Sequence, residues 1–415
     1  MTRIGLITQW YDPESGSAQT PGVIARHMRK RGHSVSVLTG FPNYPAGKLY
    51  PGYRLRWYSR EDRDGVAVHR APLWPDHAPS AGRRALNYLS FAVGATIVGM
   101  RVLRDVQVNL VYSSPITAAV PALVLRAIAR IPFVLQVQDM WPQTVMESGF
   151  LAGRGAVVER GLQRFCDYVY RRARSIAVTS PGMKDLITSR GIPPEKVLVV
   201  PNWSDERSFY PVEPDAALKD HLGLERPFTV MYAGNVGDLQ ALDALIDAAA
   251  VLKERTDIGF AIVGDGVQRA KLEHEVSERA LKNVSFHEPQ PFSRMAAVLA
   301  LGDVQFVSLK DMPLFRTTVP SKLQATLAAG RPILGALRGD AEEIITAAQA
   351  GVVVEPESVQ GIVNAILSLR DLPAEELAAM GRRGAAYYRS TFSESASGSR
   401  LSRLLEDAVV QKDLQ

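Results

Sequence analysis

The stretch RTTVPSKLQATLAAGRPILGALRGD, residues 316–340, decides the fold, because it reads as a loop, a helix and a buried strand in succession. Pro320 and Ser321 predict the helix start, since proline suits the first helical positions and a serine hydroxyl can accept a hydrogen bond from a free amide there. Gly330 is placed to end the helix in a left-handed cap, and residues 332–335 resume as a short apolar strand.

Lys322 stands in the first turn of this helix, where a cation normally opposes the helix dipole. A helix start offers several unpaired amides and about half a positive charge, and such starts commonly bind phosphates. We therefore interpret Pro320, Ser321 and Lys322 as an anion site that can hold a diphosphate. Taken alone, the stretch also fits a surface helix with an unfavourably placed lysine.

Composition favours a multidomain globular protein. The chain has 415 residues, which suggests two or three domains, and its 46% hydrophobic and 22% charged residues are ordinary for a soluble protein. The single cysteine, Cys166, excludes an intramolecular disulfide and fits a reducing cytoplasm. We expect no signal peptide and no transmembrane helix, because the longest uncharged apolar run, residues 89–100, is too short to span a bilayer.

The charge is divided unevenly along the chain. Residues 1–200 hold 26 Lys and Arg against 13 Asp and Glu, whereas residues 201–415 hold 22 against 30, so the halves carry +13 and −8. This asymmetry indicates that the first half faces an anionic partner, either a membrane surface or a nucleic acid. No nucleic-acid-binding motif accompanies the charge, and the membrane surface is therefore favoured.

The N-terminal half begins as a βαβ unit with a small-residue loop that contains Gly16 and Ser17. The loop is not a dinucleotide fingerprint, because no G-x-G-x-x-G follows the first strand. Further on, strands at 55–58 and 66–70 are predicted to form a hairpin around Asp64-Gly65. Asp62-Arg63-Asp64 also resembles the Asp-x-Asp metal motif of some sugar transferases, although the turn already accounts for these residues.

Later segments continue the alternation of strands and helices. The strand at 133–138 ends at Asp139, which places this carboxylate at the edge where open α/β sheets bind ligands. A linker rich in proline and charge runs to about Pro227, and the alternation then restarts. We predict an α/β fold of two doubly wound Rossmann-like domains facing a central cleft, residues 1–203 and 204–389, with a helix at about 390–415 packing back on the first.

The helix predicted at 83–104 has two apolar stripes. One stripe can cover the sheet, but the other needs a partner, because a helix that is apolar on both sides is either fully buried or meets something non-aqueous. Both complete burial and contact with a membrane remain open from the sequence. The stripes are Leu86, Leu89, Val93, Ile97 and Met100 on one side, and Tyr88, Phe91, Ala95, Val98 and Val102 on the other.

Six motifs occur in a characteristic order over residues 31–340: RGHSVSVLTGFPNYPAGKLYPGY (31–53), QDMWP (138–142), VVPNWSD (199–205), YAGNVGDLQALDALIDAA (232–249), VGDG (263–266) and VPSKLQATLAAGRPILG (319–335). Each motif is weakly specific, but the ordered set is strong. In these motifs the chain resembles the family 4 glycosyltransferases of GT-B fold. It is most similar to the bacterial O-antigen and capsule transferases related to the N-acetyl-fucosaminyl transferases.

The resemblance implies transfer of a sugar, with retention and without metal, from a nucleotide diphosphate donor on the C-terminal domain to an acceptor on the N-terminal domain. We expect a UDP-linked donor and no other cofactor. The acceptor would be a glycan, for instance one linked to polyprenyl diphosphate at the inner face of the cytoplasmic membrane. The implied donor residues are Gly16 and Ser17 in one domain and Gly234, Asn235, Gly237, Gln240, Gly264, Asp265, Gly266, Pro320, Ser321, Lys322, Gly339 and Glu343 in the other.

The chain departs from the family pattern at several positions. Thr317 and Ala325 stand where many members have glutamates, and Asn235 and Gln240 stand where many have arginine and lysine. The second change leaves the diphosphate short of positive charge, and Lys322 restores part of it from the adjacent helix start. In the family the second glutamate usually serves recognition of the donor ribose, and Ala325 has no carboxylate for that role.

The expected chemistry assigns Asp139 to orient or deprotonate the acceptor hydroxyl, and Lys322 to stabilise the leaving diphosphate. Glu343, in a turn that begins at Gly339, is a candidate for binding donor sugar hydroxyls, and a solvent-facing helix cap is its alternative. Two rival functions stay open: a sugar-nucleotide 2-epimerase, and a binding protein of degenerate transferase type. A dehydrogenase is disfavoured by the missing fingerprint.

Overall fold

The structure is a computed structural model that describes residues 1–14, 16–76, 80–143 and 155–410. The chain divides into two compact units. The first comprises Met1–Pro201 and the residues from Gly398 on, and the second comprises Asn202–Ser397.

The first unit is built on an eight-stranded sheet of order β3-β4-β2-β1-β5-β6-β7-β8, in which every pair is parallel except β3–β4. Its central strands are largely buried, because helices cover both faces of a parallel sheet. The strands are β1 (Arg3–Ile7), β2 (Ser34–Gly40), β3 (Ser59–Arg63), β4 (Val66–Ala71), β5 (Val108–Ser113), β6 (Phe133–Val137), β7 (Ser175–Val178) and β8 (Val197–Val199). The helices are α1 (Thr20–Lys30), α2 (Ala81–Val102), α3 (Val120–Ala129), α4 (Gly155–Arg172) and α5 (Pro181–Thr188).

The second unit has six parallel strands in the order β11-β10-β9-β12-β13-β14. Together the two sheets confirm the predicted class of two Rossmann-like α/β domains. The strands are β9 (Phe228–Ala233), β10 (Ile258–Val263), β11 (Val284–His287), β12 (Val304–Ser308), β13 (Ile333–Ala336) and β14 (Gly351–Val354). The helices are α6 (Ala216–His221), α7 (Asp243–Val251), α8 (Arg269–Glu278), α9 (Met295–Ala300), α10 (Ser321–Ala328), α11 (Asp340–Ala348), α12 (Val359–Arg370), α13 (Ala374–Thr391) and α14 (Ala396–Val410), whose last part belongs to the first unit.

The decisive stretch folds as the sequence predicts, with one correction. Pro320 is the N-cap of α10, Gly330 has φ +64° just beyond its end, and β13 follows. Ser321 is the first helical residue and is exposed, so its hydroxyl does not cap the helix as expected. A second correction concerns Glu343, which lies in the first turn of α11 rather than in an irregular turn.

The predicted hairpin is present, but its first strand was placed too early. The structure has β3 at Ser59–Arg63 instead of 55–58, because the two-residue turn at Asp64-Gly65 fixes the pairing of Arg63 with Val66. Both turn residues are left-handed, with φ of 54° and 73°. The Asp62 carboxylate accepts a hydrogen bond from the Gly65 amide at 3.0 Å, and this contact ties it to the turn.

The structure also decides between the two apolar stripes of α2. Phe91, Ala95 and Val98 are buried within the first unit, whereas the stripe that contains Leu89 and Ile97 is exposed, so complete burial of this helix is wrong. Among the described residues, one helix, Gly82–Val102, is long and apolar enough to cross a membrane by length and composition alone. The helix therefore extends beyond the 12-residue run on which the sequence-based expectation rested.

Candidate functional site

Two glycine loops meet at the carboxyl edge of the second sheet. The first follows β9 and begins at Gly234, and the second follows β10 and begins at Gly264. Both glycines have φ values near +145°, which L side chains rarely adopt, and a Cβ at Gly264 would overlap the carbonyl oxygen of Gly234. The loops are joined by a hydrogen bond of 2.9 Å from the Val236 amide to the Asp265 carbonyl. Close backbone approach at this edge requires glycine at both positions.

Lys322 reaches this edge from the start of α10. A Cβ built on Gly234 would lie 3.3 Å from the Lys322 Nζ, and the same nitrogen lies 2.8 Å from the centroid of the Tyr232 ring. Although the residue as a whole is half-buried, its Nζ is shielded from solvent and has no hydrogen-bond partner in the described part of the chain. Burial lowers the pKa of Lys322 well below its usual value. A desolvated cation of this kind gains most when an anion pairs with it.

Asn235 and Gln240 form the polar side of the first loop. The Asn235 amide nitrogen donates to the Gln240 side-chain oxygen at 3.3 Å, and a Cβ at Gly237 would contact both side chains. The Tyr232 hydroxyl donates to the Asn235 carbonyl at 2.5 Å, and the Ser308 hydroxyl donates to the Gln240 carbonyl at 2.5 Å. The structure thus brings these predicted residues together with Lys322, and within the loop they present amides rather than charge.

The remaining donor candidates are less closely joined. Asp265 is exposed and its carboxylate accepts the Gly266 amide at 2.8 Å, which fixes the second loop. Gly339 is the N-cap of α11 with φ +78°, and a Cβ there would overlap the Arg316 carbonyl in the loop that leads to α10. Glu343 is exposed, and its backbone amide donates to the Gly339 carbonyl at 3.0 Å. Glu343 is therefore placed as a helix-start carboxylate on the solvent side.

Asp139 lies in the first unit, just after β6. Its Oδ2 accepts a hydrogen bond of 2.7 Å from the hydroxyl of Ser114, which follows the neighbouring strand β5. Burial raises the pKa of Asp139, and the Ser114 hydrogen bond offsets part of the rise. A carboxylate with a raised pKa that is held by one hydroxyl can accept a proton from a bound alcohol.

Tyr88 and Trp141 line the same region, with ring centroids 5.9 Å apart and an edge-on geometry. Burial raises the pKa of Tyr88, and the nearby Asp139 charge adds to the rise. Gly16 and Ser17, by contrast, begin a short 3₁₀ helix, Gly16–Gln19, that runs into α1, and the Ser17 side chain lies outside the described part. The first unit thus supplies an aromatic-lined carboxylate.

Sequence reasoning missed two residues of these sites. Tyr232 lies in the apolar β9, so the sequence pattern predicts a core side chain there. Only the fold shows that the Lys322 ammonium packs on its ring. Ser114 could have been found, because it follows a strand that neighbours the strand before Asp139, and the ends of neighbouring parallel strands share an edge. Among the described residues, no group of three or more His, Cys, Asp or Glu is arranged to hold a metal ion.

Two Rossmann-like units with ligand-type loops at the sheet edge are the architecture of GT-B glycosyltransferases, and the comparisons with known proteins agree. The chain belongs to the glycosyltransferases. Residues 15–203 match the family described as Glycosyl transferase 4-like domain, and residues 227–371 match Glycosyl transferases group 1. The chain is 30% identical over 373 residues to the putative colanic acid biosynthesis glycosyl transferase WcaI of Escherichia coli K12, with 88% of this chain and 91% of that protein covered.

Solved structures support the fold. Sucrose-phosphate synthase from Thermosynechococcus elongatus is similar with a TM-score of 0.77 and 17% identity, with 99% of this chain and all of that chain covered. Anabaena Alr3699/HepE in complex with UDP-glucose is similar with a TM-score of 0.71 and 15% identity, over 98% of this chain and all of that chain. At these identities the likeness establishes the GT-B architecture alone.

Proposed function

We propose that the protein transfers a sugar from a nucleotide diphosphate donor to a hydroxyl of a glycan acceptor in the synthesis of a cell-surface polysaccharide. Donor binding is proposed from the environment of Lys322. Its ammonium is desolvated, has no hydrogen-bond partner in the described part of the chain and faces the glycine loop at Gly234. A diphosphate at this edge would accept hydrogen bonds from loop and helix-start amides and would pair with this cation.

The transition state of sugar transfer places negative charge on the leaving diphosphate. Groups already fixed in place stabilise that charge without reorganisation, and here they are Lys322, the amides at the start of α10 and the loop from Gly234 to Gly237. Gly264, Asp265 and Gly266 form the second loop, whose backbone packs against the first loop. We assign Gly339 and Glu343 to the donor sugar.

The acceptor half of the proposal rests on Asp139. Its carboxylate, positioned by Ser114 and bordered by Tyr88 and Trp141, takes the proton of the acceptor hydroxyl as the new glycosidic bond forms. Aromatic rings at such a site provide an apolar surface for sugar faces. Retention of configuration and metal independence follow from the resemblance to family 4.

The finer assignments use the motif resemblance and the relatives. The similarity to N-acetyl-fucosaminyl transferase-like proteins leads us to propose an N-acetylated or deoxy amino sugar on UDP. Alr3699/HepE was solved with UDP-glucose, and WcaI is described as a colanic acid biosynthesis enzyme. WcaI's description supports a role in polysaccharide synthesis. We further propose a cytoplasmic enzyme whose acceptor is a growing glycan on a polyprenyl-diphosphate carrier.

A two-stage experiment tests the function. First, UDP-, GDP- and dTDP-sugars are screened against the purified protein by thermal shift and by saturation-transfer NMR. Second, each donor that binds is incubated with a bacterial lipid extract, and the products are separated by mass. Transfer of the sugar to a lipid supports the proposal. Release of a free 2-epimer would make the protein an isomerase, and binding without turnover would make it a binding protein.

A further inference from the structure

Helix α2 leaves five large aliphatic side chains on one face without cover. They recur every three or four residues, so they form a continuous line along the helix, and each is between 42% and 61% exposed. An exposed apolar line of this length marks an interaction site. We call it the α2 stripe, and it consists of Leu86, Leu89, Val93, Ile97 and Met100.

The surroundings of the α2 stripe are cationic. Residues 80–104 contain four arginines and no acidic residue. Arg101 is exposed at one end of the helix, and the packed neighbour α3 adds exposed Arg126 and Arg130 around exposed Ile128. In the described part of the chain neither Arg101 nor Arg126 has an acidic partner. Arg83 and Arg104, by contrast, pair with Asp76 at 2.7 Å and with Asp105 at 3.4 Å, and both are therefore occupied.

We propose that the α2 stripe docks on an anionic phospholipid bilayer, with α2 lying in the plane of the interface and its aliphatic side chains inserted among the acyl chains. Aliphatic side chains bordered by arginines match a surface that is apolar beneath and negative above. A second copy of the chain fits less well, because a symmetric contact through this face would bring arginines against arginines. Spanning the bilayer would expose Phe91 and Ala95, which the first unit buries.

The same helix carries Tyr88 on its other side, where the tyrosine ring lies 5.9 Å from the Trp141 ring. The nearby Asp139 charge contributes to the raised pKa of Tyr88. Docking through the α2 stripe would bring the lipid surface to the helix whose other side borders the Asp139 site. This step rests on the proposed function, since it makes a lipid-linked hydroxyl the natural acceptor. The docking itself does not, because binding to vesicles is measured without donor or turnover.

The test is co-sedimentation of the full chain with phosphatidylcholine vesicles, with and without phosphatidylglycerol, at low and high salt. We expect binding that requires phosphatidylglycerol and weakens with salt. Leu89→Gln with Ile97→Gln should lower the partition coefficient about tenfold or more. Arg101→Gln with Arg126→Gln should lower it by up to about thirtyfold at low salt and have little effect at high salt.

Matched controls come from the second unit. Val251→Gln with Val267→Gln changes two aliphatic residues that are more exposed than Leu89 and Ile97, and Lys253→Gln with Lys282→Gln removes two exposed charges. Both should leave the partition coefficient unchanged, and thermal unfolding checks that every variant is folded. Trp57→Ser removes the most exposed aromatic side chain in the described part of the chain and tests a rival surface beside β3.

Three results would overturn the proposal. The first is no binding to phosphatidylglycerol vesicles at low salt. The second is binding that is lost in Trp57→Ser but kept in the α2 stripe variant. The third is a lipid-free dimer, seen by sedimentation velocity, that Leu89→Gln with Ile97→Gln dissociates, since the stripe would then be a subunit interface.

Discussion

Lys322 is the single residue on which the donor assignment depends. In the free protein its ammonium rests on Tyr232 without a hydrogen-bond partner, so the substitution Lys322→Met removes a desolvated charge and keeps the side-chain volume. We expect nucleotide-sugar affinity or turnover to fall by roughly 2–5 kcal/mol, about 30- to several thousand-fold, because the buried phosphates lose their cation. Thermal unfolding of the free protein should be unchanged or shifted upward.

The control for this prediction is Lys282→Met, which removes an exposed lysine from the same unit. Calorimetric titration with the donor and initial-rate kinetics measure both variants. Near wild-type turnover in Lys322→Met would show that the diphosphate does not bind at this edge of the sheet. A large drop in unfolding temperature would instead make the lysine structural.

The lowered pKa of Lys322 also predicts that donor binding takes up a proton. In the free protein the lysine is mostly neutral at pH values above its lowered pKa, and a bound diphosphate raises that pKa again. Between the two pKa values the complex therefore binds more protons than the free protein. Titrations in buffers of different ionisation enthalpy should show this uptake in the wild type, with less of it in Lys322→Met. Equal uptake in both would assign the proton to the nucleotide.

Asp139→Asn separates chemistry from binding on the acceptor side. The amide can still accept the Ser114 hydrogen bond but cannot take a proton, so we expect donor affinity to persist and transfer to be lost. Because burial raises the pKa of Asp139, its contribution to stability is present at low pH and lost as the pH rises through that pKa. The variant should thus unfold at the same or a higher temperature at neutral pH. Equal loss of donor affinity would contradict the assignment.

At this scale the sequence predicted residues with a local signature and missed those defined by tertiary contact. Lys322 was identifiable because a cation in the first turn of a helix is unfavourable unless an anion meets it. Tyr232 was not, because alternation within a buried strand gives the same pattern whether a ring packs in the core or supports a lysine. Ser321 was predicted to cap the helix. In the structure Pro320 takes the N-cap position, and Ser321 is the first helical residue.

Among the elements, the β3–β4 hairpin decides whether Asp62 and Asp64 bind metal. Asp64 has φ +54°, and its carboxylate lies 3.6 Å from the Arg26 guanidinium, while the Asp62 carboxylate accepts the Gly65 amide. We expect transfer activity to persist in EDTA, and Asp62→Asn and Asp64→Asn to keep it. Asparagine is chosen because it tolerates the left-handed turn. A strict requirement for Mg²⁺ or Mn²⁺ that disappears in Asp64→Asn would show that the turn interpretation is wrong.

The bounds of an element were predicted well where turn or capping residues mark its ends, and poorly where such residues are missing. Asp64-Gly65 located the hairpin, yet the strand before it was misplaced because Leu55, Trp57 and Tyr58 looked like a strand and are exposed chain. The segment after Gly339 was interpreted as a turn, because its two glutamates obscure the apolar pattern of α11. Ala341 and Ile345 lie on the buried side of that helix. In the case of α2 the hydrophobic pattern predicted two stripes, and only packing could show which one is covered.

For the whole molecule, the main feature is that the chain leaves the first unit at Pro201 and returns to it at Gly398. The returning part of α14 packs through Leu401, Leu405 and Ala408, which are fully buried. Polar contacts join it to the turn between α1 and β2, since His33 Nε2 lies 3.0 Å from the Ser402 hydroxyl and Arg31 Nη1 donates to the Ser399 hydroxyl at 3.0 Å. The first unit is therefore incomplete without the last part of the chain.

Leu405→Ala tests this dependence, since it removes a fully buried side chain from α14. We expect the free energy of unfolding of the first unit to fall by about 2–5 kcal/mol, because truncating a fully buried leucine loses apolar contacts and leaves a cavity. Donor binding, which we assign to the second unit, should be unchanged below the unfolding transition. Val410→Ala, at an exposed position of the same helix, should change stability by about 0.5 kcal/mol or less. Hydrogen exchange resolved by peptide reports each unit separately: protection should decrease in β1, β2 and α1 and persist in β9 and β10. Equal loss of protection in both sheets would mean that the two units unfold as one, and that the C-terminal helix stabilises the donor side as much as the side on which it lies.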